Sequence, residues 1–203
     1  MNKNLIRRTA IVAAAGAASL VLAACGSSDD TSAGQSTPSA VSSAPAAQGQ
    51  HNAADVAFAK GMIPHHRQAV EMADLAPTRA ESAEAKKLAD EIKKAQDPEI
   101  QTLSGWLTSW GEQVPAEGAM DHSAHGMAGM MTAEEMDKLK DSSGKAFDTA
   151  FMEMMIRHHE GAVAMAKTEK ADGAFPDAQT MADAIIISQT AEITRMNSLL
   201  GKN

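Results

Sequence analysis

Apolar side chains return every three or four positions from about residue 54 to 76, and the same rhythm recurs over about 82–110, 145–171 and 177–201. A period near 3.6 marks amphipathic helices. No run of period-two alternation competes with it. Pro77 and Gly173 interrupt the two pairs of segments and are expected to mark the turns within them. Pro98 falls inside the second segment, where its missing N–H and its ring should kink or divide the helix. Its counterpart in the fourth segment is Ala191, so that helix should run straighter. A further short helix is expected after residue 131, because Thr132 and Glu135 stand at capping-box spacing.

The two pairs are copies of one unit. A shift of 93 residues superposes Asp55 on Asp148, Phe58 on Phe151, Met62-Ile63 on Met155-Ile156 and His65-His66 on His158-His159. The match continues without a gap through Gln96, Glu99 and Ile100 onto Gln189, Glu192 and Ile193, and ends with Leu107 on Leu200. Identity sustained over that length is an internal repeat. Two related helical hairpins predict an all-α fold, a four-helix bundle.

The ends carry different signals. Lys3, Arg7 and Arg8 precede the short apolar run "AIVAAAGAASLVLAA", which is too short for a comfortable membrane span and reads as a signal peptide over residues 1–24. "LAAC", ending at Cys25, resembles a bacterial lipobox, which implies cleavage before Cys25 and lipidation of its thiol. Residues 25–51 then form the anchor and a Ser/Ala/Gly/Pro linker, and residues 52–203 are long enough to bury one core.

The net charge of −8 becomes −11 once residues 1–24, with three basic and no acidic residues, are removed. Such a surface argues against nucleic acid and against attraction to anionic lipid, so membrane contact is expected through the lipid anchor alone. With Cys25 the only cysteine, the domain has neither disulfides nor thiolate ligands. Tyrosine is absent, whereas all 13 methionines after the initiator lie between residues 62 and 196. Methionine as core filler explains part of this. It does not explain why methionine gathers around histidine.

Phe58, His65 and Met72 form one helical stripe, and Met62 and His66 the next. Phe151, His158 and Met165 repeat the first stripe; Met152, Met155 and His159 thicken the second. On the partner helices, Gln96, Glu99 and Leu103 match Gln189, Glu192 and Met196 at spacing i, i+3, i+7. Buried Gln and Glu need partners. The histidines can donate a ring N–H to the glutamates, which orients the other nitrogen toward a ligand. Imidazole and thioether without thiolate suit copper, with thioether favouring Cu(I) and imidazole accepting Cu(II) as well. Zinc would prefer Cys or carboxylate. A di-iron site needs Glu-x-x-His pairs, which the helices lack.

The connection between the hairpins repeats the chemistry. "MDHSAHGMAGMM", residues 120–131, holds Met120, His122, His125, Met127, Met130 and Met131 among glycines. Residues 118–131 are therefore expected to be a copper-collecting segment separable from the fold. The second hairpin, with Met152, Met154 and Met196 where the first has Ala59, Gly61 and Leu103, is expected to bind Cu(I) more tightly.

"DVAFAKGMIPHHRQAVEMA" and "FDTAFMEMMIRHHEGAVAMA", each followed by a helix with Q-x-x-E-I, resemble the ferritin-like family called domain of unknown function 305 over about residues 53–203. The resemblance implies a ferritin-like four-helix bundle and kinship with secreted copper-binding proteins that help cells withstand copper. It also implies a methionine seven residues after each Gln, which this chain keeps as Met196 and replaces by Leu103. The expected function is a lipid-anchored, extracytoplasmic copper-binding protein that buffers copper or hands it to a copper-handling partner, and not an enzyme. A metal-dependent redox enzyme of cuprous-oxidase type, and a metal-free interaction module whose His–Glu pairs only specify packing, are the competing readings.

Overall fold

The computed structural model describes residues 50–117 and 128–202. The expected signal peptide, Cys25 and nearly all of the linker lie outside them, as do Met120, His122, His125 and Met127. The described residues form an all-α bundle of five helices: α1 (Ala53–Arg79), α2 (Ala83–Ser109), α3 (Ala133–Asp141), α4 (Gly144–Asp172) and α5 (Pro176–Leu199). None of these helices is long and apolar enough to cross a membrane.

The helix starts follow local chemistry. Asn52 and Asp55 form a capping box on α1, Ser82 caps α2, and Thr132 with Glu135 caps α3 as the spacing predicts. One proline expectation needs correction, and the other is narrowed. Pro77 sits inside the last turns of α1, which runs on to Arg79; the chain leaves the helix only at Ala80. Pro98 does not divide α2, which is continuous from Ala83 to Ser109. Each proline removes one ladder hydrogen bond, and tertiary packing of a long helix outweighs that loss.

α1 and α4 pack on each other as a central antiparallel pair, with α2 on α1 and α5 on α4. The register is set at both ends by one carboxylate each. Asp148 of α4 accepts hydrogen bonds from the backbone N–H groups of Glu81 (3.0 Å) and Ser82 (2.8 Å) in the α1–α2 turn. Asp55 of α1 accepts from Ala174 (3.1 Å) and Phe175 (2.9 Å) in the α4–α5 turn. Since 81 and 82 become 174 and 175 under the 93-residue shift, the contacts are the same contact made twice. The repeat therefore folds as a pseudo-twofold pair.

Two apolar cores result, one toward each end. The first gathers Leu88, Ala89 and Ile92 of α2 with Phe147, Phe151 and Met155 of α4, closed by Met136 and Leu139 of α3. The second gathers Phe58, Met62 and Ile63 of α1 with Leu103 and Leu107 of α2 and Ala182 and Ile185 of α5.

The symmetry is broken at the Asp55 end. Glu169, where the first copy has Ala76, is buried against Asp55, in the space left by Gly173. Burial and the neighbouring Asp55 carboxylate push the Glu169 carboxyl up to about 8. Burial acts to raise Asp55 too, but the backbone N–H groups of Asn52, Phe175 and Ala174 hold it below the usual aspartate value. Between pH 4.5 and 8 the folded protein thus keeps a proton on Glu169 that the unfolded chain has released, so stability falls as pH rises through that window. The thermal midpoint of the metal-free protein should decline from pH 5 to pH 8.5, and Glu169→Gln should flatten the decline. Parallel pH profiles for the two proteins would show that Glu169 is not its source.

Candidate metal centre

The candidate site is the seam between the two cores. On α1 it falls between Ile63 and Ala69, on α4 between Met155 and Ala162, on α2 between Ile92 and Leu103, and on α5 between Ile185 and Met196. Every one of these intervals contains polar residues that the spacing singles out. His65, His66, His158 and His159 have no exposed surface, and Gln96 and Gln189 are buried beside them. Two hairpin sites were the expectation. Instead the pseudo-twofold axis brings both histidine pairs into one layer, with the rings of His65 and His158 in contact across α1 and α4 at a centroid distance of 3.7 Å.

The outer histidines are held by the expected glutamates. His66 Nε2 lies 2.7 Å from Glu99 Oε2, and His159 Nε2 lies 2.6 Å from Glu192 Oε2. A carboxylate oxygen accepts from an N–H, so the contact suits a ring whose Nε2 carries a proton. Nδ1 of each ring is buried and without a hydrogen-bond partner. The glutamates reach partway to solvent, with side chains 22% and 20% exposed, so the pairs connect the layer to the surface.

The inner histidines are in a harsher setting. Neither nitrogen of His65 or of His158 makes a well-aligned hydrogen bond, although the backbone of Ala128 approaches the His65 ring and the backbone of His65 approaches the His158 ring. Burial, followed by the neighbouring His66, lowers the His65 pKa to about 3, even though the Ala128 carbonyl beside the ring acts in the other direction. Burial and then His65 put His158 well below the ordinary histidine value. Both rings are neutral at physiological pH, the form that ligates a metal. Counting Oε1 of Gln96 and Gln189, eight buried donor or acceptor atoms of this layer lack protein partners. Each such atom costs roughly 1–3 kcal/mol. Orphaned lone pairs concentrated at one level fit a bound cation.

Among the described residues, no three His, Cys, Asp or Glu side chains converge closely enough to hold a metal unaided. Other donors, such as thioethers or the oxygens of Gln96 and Gln189, would have to complete any coordination. Met62 and Met155 lie one turn before the histidines on the same helices and are fully buried. Met72, Met152, Met154 and Met196 join Met131 and Met136 in the first core, whereas Met165 is half-buried against the second. The thioethers are therefore divided unequally between the two halves of the bundle as well as between the hairpins. Leu103 packs at the position equivalent to Met196.

The connection between the hairpins is not separable at its C-terminal end. Met131 is buried, its backbone N–H donates to Gln68 Oε1 (2.7 Å), and its carbonyl accepts from Gln68 Nε2 (2.9 Å). The Met131 sulfur accepts from Arg157 at 3.2 Å, which competes with a role as a metal ligand. Met130 beside it is half-buried. Gln68 and Gly161 carry no shared signal in the repeat itself, because they align with each other and differ. Divergence between otherwise matched copies was the signal that could have exposed them.

The family model described as domain of unknown function (DUF305) matches residues 55–200. A solved DUF305 protein from Streptomyces coelicolor is 34% identical, with 73% of this chain and 93% of that chain covered and a TM-score of 0.66. A DUF305 fragment from Deinococcus radiodurans is 30% identical, with 75% and 98% covered and a TM-score of 0.66. CopM in its Cu(II)-bound form is 38% identical, with 71% and 94% covered and a TM-score of 0.63; it has also been solved with Cu(I) and with silver. No curated protein matches the chain.

The unpaired inner histidines make a prediction for the metal-free protein. Their folded pKa values lie below 6.5, so above that pH both states are neutral and nothing is lost. As pH falls below it, the unfolded chain takes up protons that the folded layer refuses, and stability drops. The double substitution His65→Leu with His158→Leu should raise the metal-free midpoint, by roughly 2–4 °C per kcal/mol recovered, and weaken its acid dependence. A lower midpoint with unchanged acid dependence would show that the rings are satisfied in solution.

Proposed function

The chain belongs to the DUF305 family, and from that premise we propose that it is an extracytoplasmic copper-binding protein that buffers copper or hands it on. One observation carries the reading. Four fully buried histidines at one level of the bundle direct partnerless nitrogens into a seam flanked by buried methionines. A purely structural network would satisfy its buried polar atoms, because leaving them unpaired is destabilising. Support comes from CopM, whose copper-bound forms share the fold at 36–38% identity. The Streptomyces coelicolor relative carries a description as a secreted protein, which agrees with the signal-like N-terminus.

His65 and His158 would supply the central donors, with Nδ1 of His66 and His159 and the thioethers of Met62 and Met155 as the neighbouring ones. Cu(I) is the favoured state, because it is soft and accepts few ligands. Glu99 and Glu192 would fix the ring orientation of the outer histidines. The proposed role is binding, not turnover. Met120, His122, His125 and Met127 would add outer donors that collect the ion, and Cys25 would tether the domain to a bacterial membrane through lipid.

The shared layer yields a test. Titration of the soluble domain with Cu(I) against a competing chelator should show its tightest event abolished by His65→Ala with His158→Ala, one residue from each hairpin. The two hairpin-specific pairs, His65/His66→Ala and His158/His159→Ala, should lose affinity to a similar extent, because each breaks the same site. If wild-type protein and all variants bind alike, the bundle histidines do not hold the metal.

The anchor is tested separately. Cys25→Ser should move the protein from the membrane fraction to the soluble fraction and remove the lipid mass from its N-terminus. Unchanged fractionation and mass would rule out the lipobox reading.

A further inference from the structure

We propose that the segment Ala128–Met131 is a lid over the His65–His158 pair, latched by Gln68 and Gly161, and that its opening sets the rate at which metal enters and leaves. The proposal rests on the metal-binding reading above for its ligand, but not for its geometry.

The lid is defined by contacts at both ends. At Met131 the Gln68 side chain of α1 holds the backbone N–H and carbonyl together, by hydrogen bonds of 2.7 and 2.9 Å in a buried setting. At Ala128 and Gly129 the backbone lies directly on α4. A Cβ built on Gly161 would stand 2.0 Å from the Ala128 carbonyl oxygen, and one built on Gly129 would stand 2.6 Å from the Arg157 carbonyl. Gly129 also has φ +86°, a conformation that side-chain-bearing residues rarely adopt. The segment thus spans α1 and α4 at the level of the inner histidines, and the Ala128 carbonyl lies beside the His65 ring.

The two latch residues occupy the same place in the repeat, since 68 and 161 differ by the 93-residue shift. One copy supplies an amide that grips the segment; the other supplies the lack of a side chain that lets it settle. Neither difference serves the hairpin that carries it, because both act on the connection. Ala128 in this segment is exposed to solvent, while the His65 ring beside it has no exposed surface, so among the described residues the segment stands between that imidazole and water.

Gly161→Ala places a methyl group where the lid rests while improving the helix propensity of α4, so the lid should yield before the helix does. Gln68→Ala removes the other latch without adding bulk. Gly105→Ala, where an added Cβ meets nothing within 4 Å, serves as a control. Two measurements on the mature chain read the outcome. In metal-free protein, diethyl pyrocarbonate labelling of His65 and His158, located by peptide mass mapping, should be slow in the wild type and the control. It should be at least tenfold faster in Gly161→Ala and severalfold faster in Gln68→Ala. Cu(I) transfer from loaded protein to bathocuproine disulfonate should accelerate in the same order, with the thermal midpoint close to wild type. Labelling and transfer rates equal to wild type in both variants would overturn the lid. So would loss of the thermal transition in both, which would make the segment a structural brace. If the wild type binds no Cu(I), the metal reading fails while the labelling result still decides whether the lid exists.

Discussion

Two aspartates decide how this chain closes. Asp55 and Asp148 each reach from a central helix to the turn of the opposite hairpin and accept two of its backbone N–H groups. A turn leaves such donors without intrahelical partners, and hydrogen bonds from them to an ionised acceptor are among the stronger ones in proteins. Because each carboxylate comes from one copy and each turn from the other, neither hairpin is complete alone. The reciprocal contacts fix the antiparallel register of α1 on α4, and that register makes His65 meet His158.

Everything unusual about the interior follows from that alignment. A pseudo-twofold axis through the middle of two antiparallel helices brings equivalent residues face to face. Whatever stands at the crossing is therefore presented twice at one level. Here the residues are histidines, backed by Gln-x-x-Glu on the flanking helices, so the two apolar cores are divided by a polar layer. Such a layer weakens a metal-free bundle, since burial disfavours both charged and unpaired imidazole. A cation that takes up the lone pairs turns the same feature into a stabilising one, because ligand binding to the folded state alone adds to its stability. On the proposed copper-binding reading, folding and metal occupancy would be coupled through one set of atoms.

The differences between the copies are as informative as the identities. Glu169 replaces Ala76 and settles against Asp55, placing a proton-dependent contact at one end of the bundle. Gln68 and Gly161 diverge to receive the connection, and Pro64 and Arg157 differ beside them. Arg157 of α4 holds the end of that connection at Met131 and also bonds Glu135 of α3, while Arg67 holds its other end through the carbonyls of Pro115 and Ala116. A symmetric scaffold has two equivalent faces; a single connection can cover only one of them, and its contacts mark which.

Much of this was legible in the chain itself. Helical periodicity located four long helices to within a few residues, and Thr132 with Glu135 announced the fifth, because these signals are local and a helix is stabilised locally. The His66–Glu99 and His159–Glu192 pairs were readable as well, since a carboxylate on the inward side of one helix of a hairpin has few partners besides the histidine on the other. Pro77 misled as a turn marker, and Pro98 did not divide its helix, because a proline's local penalty is smaller than the packing energy of the helix that contains it. What the chain could not reveal by itself is how its two hairpins meet. The meeting of both histidine pairs in one layer, the gathering of most core thioethers in one half of the bundle, and a Met-rich connection anchored at Met131 all depend on contacts between residues 60 to 120 positions apart. Such contacts leave no periodic trace in a sequence. They exist only once Asp55 and Asp148 have closed each hairpin onto the other.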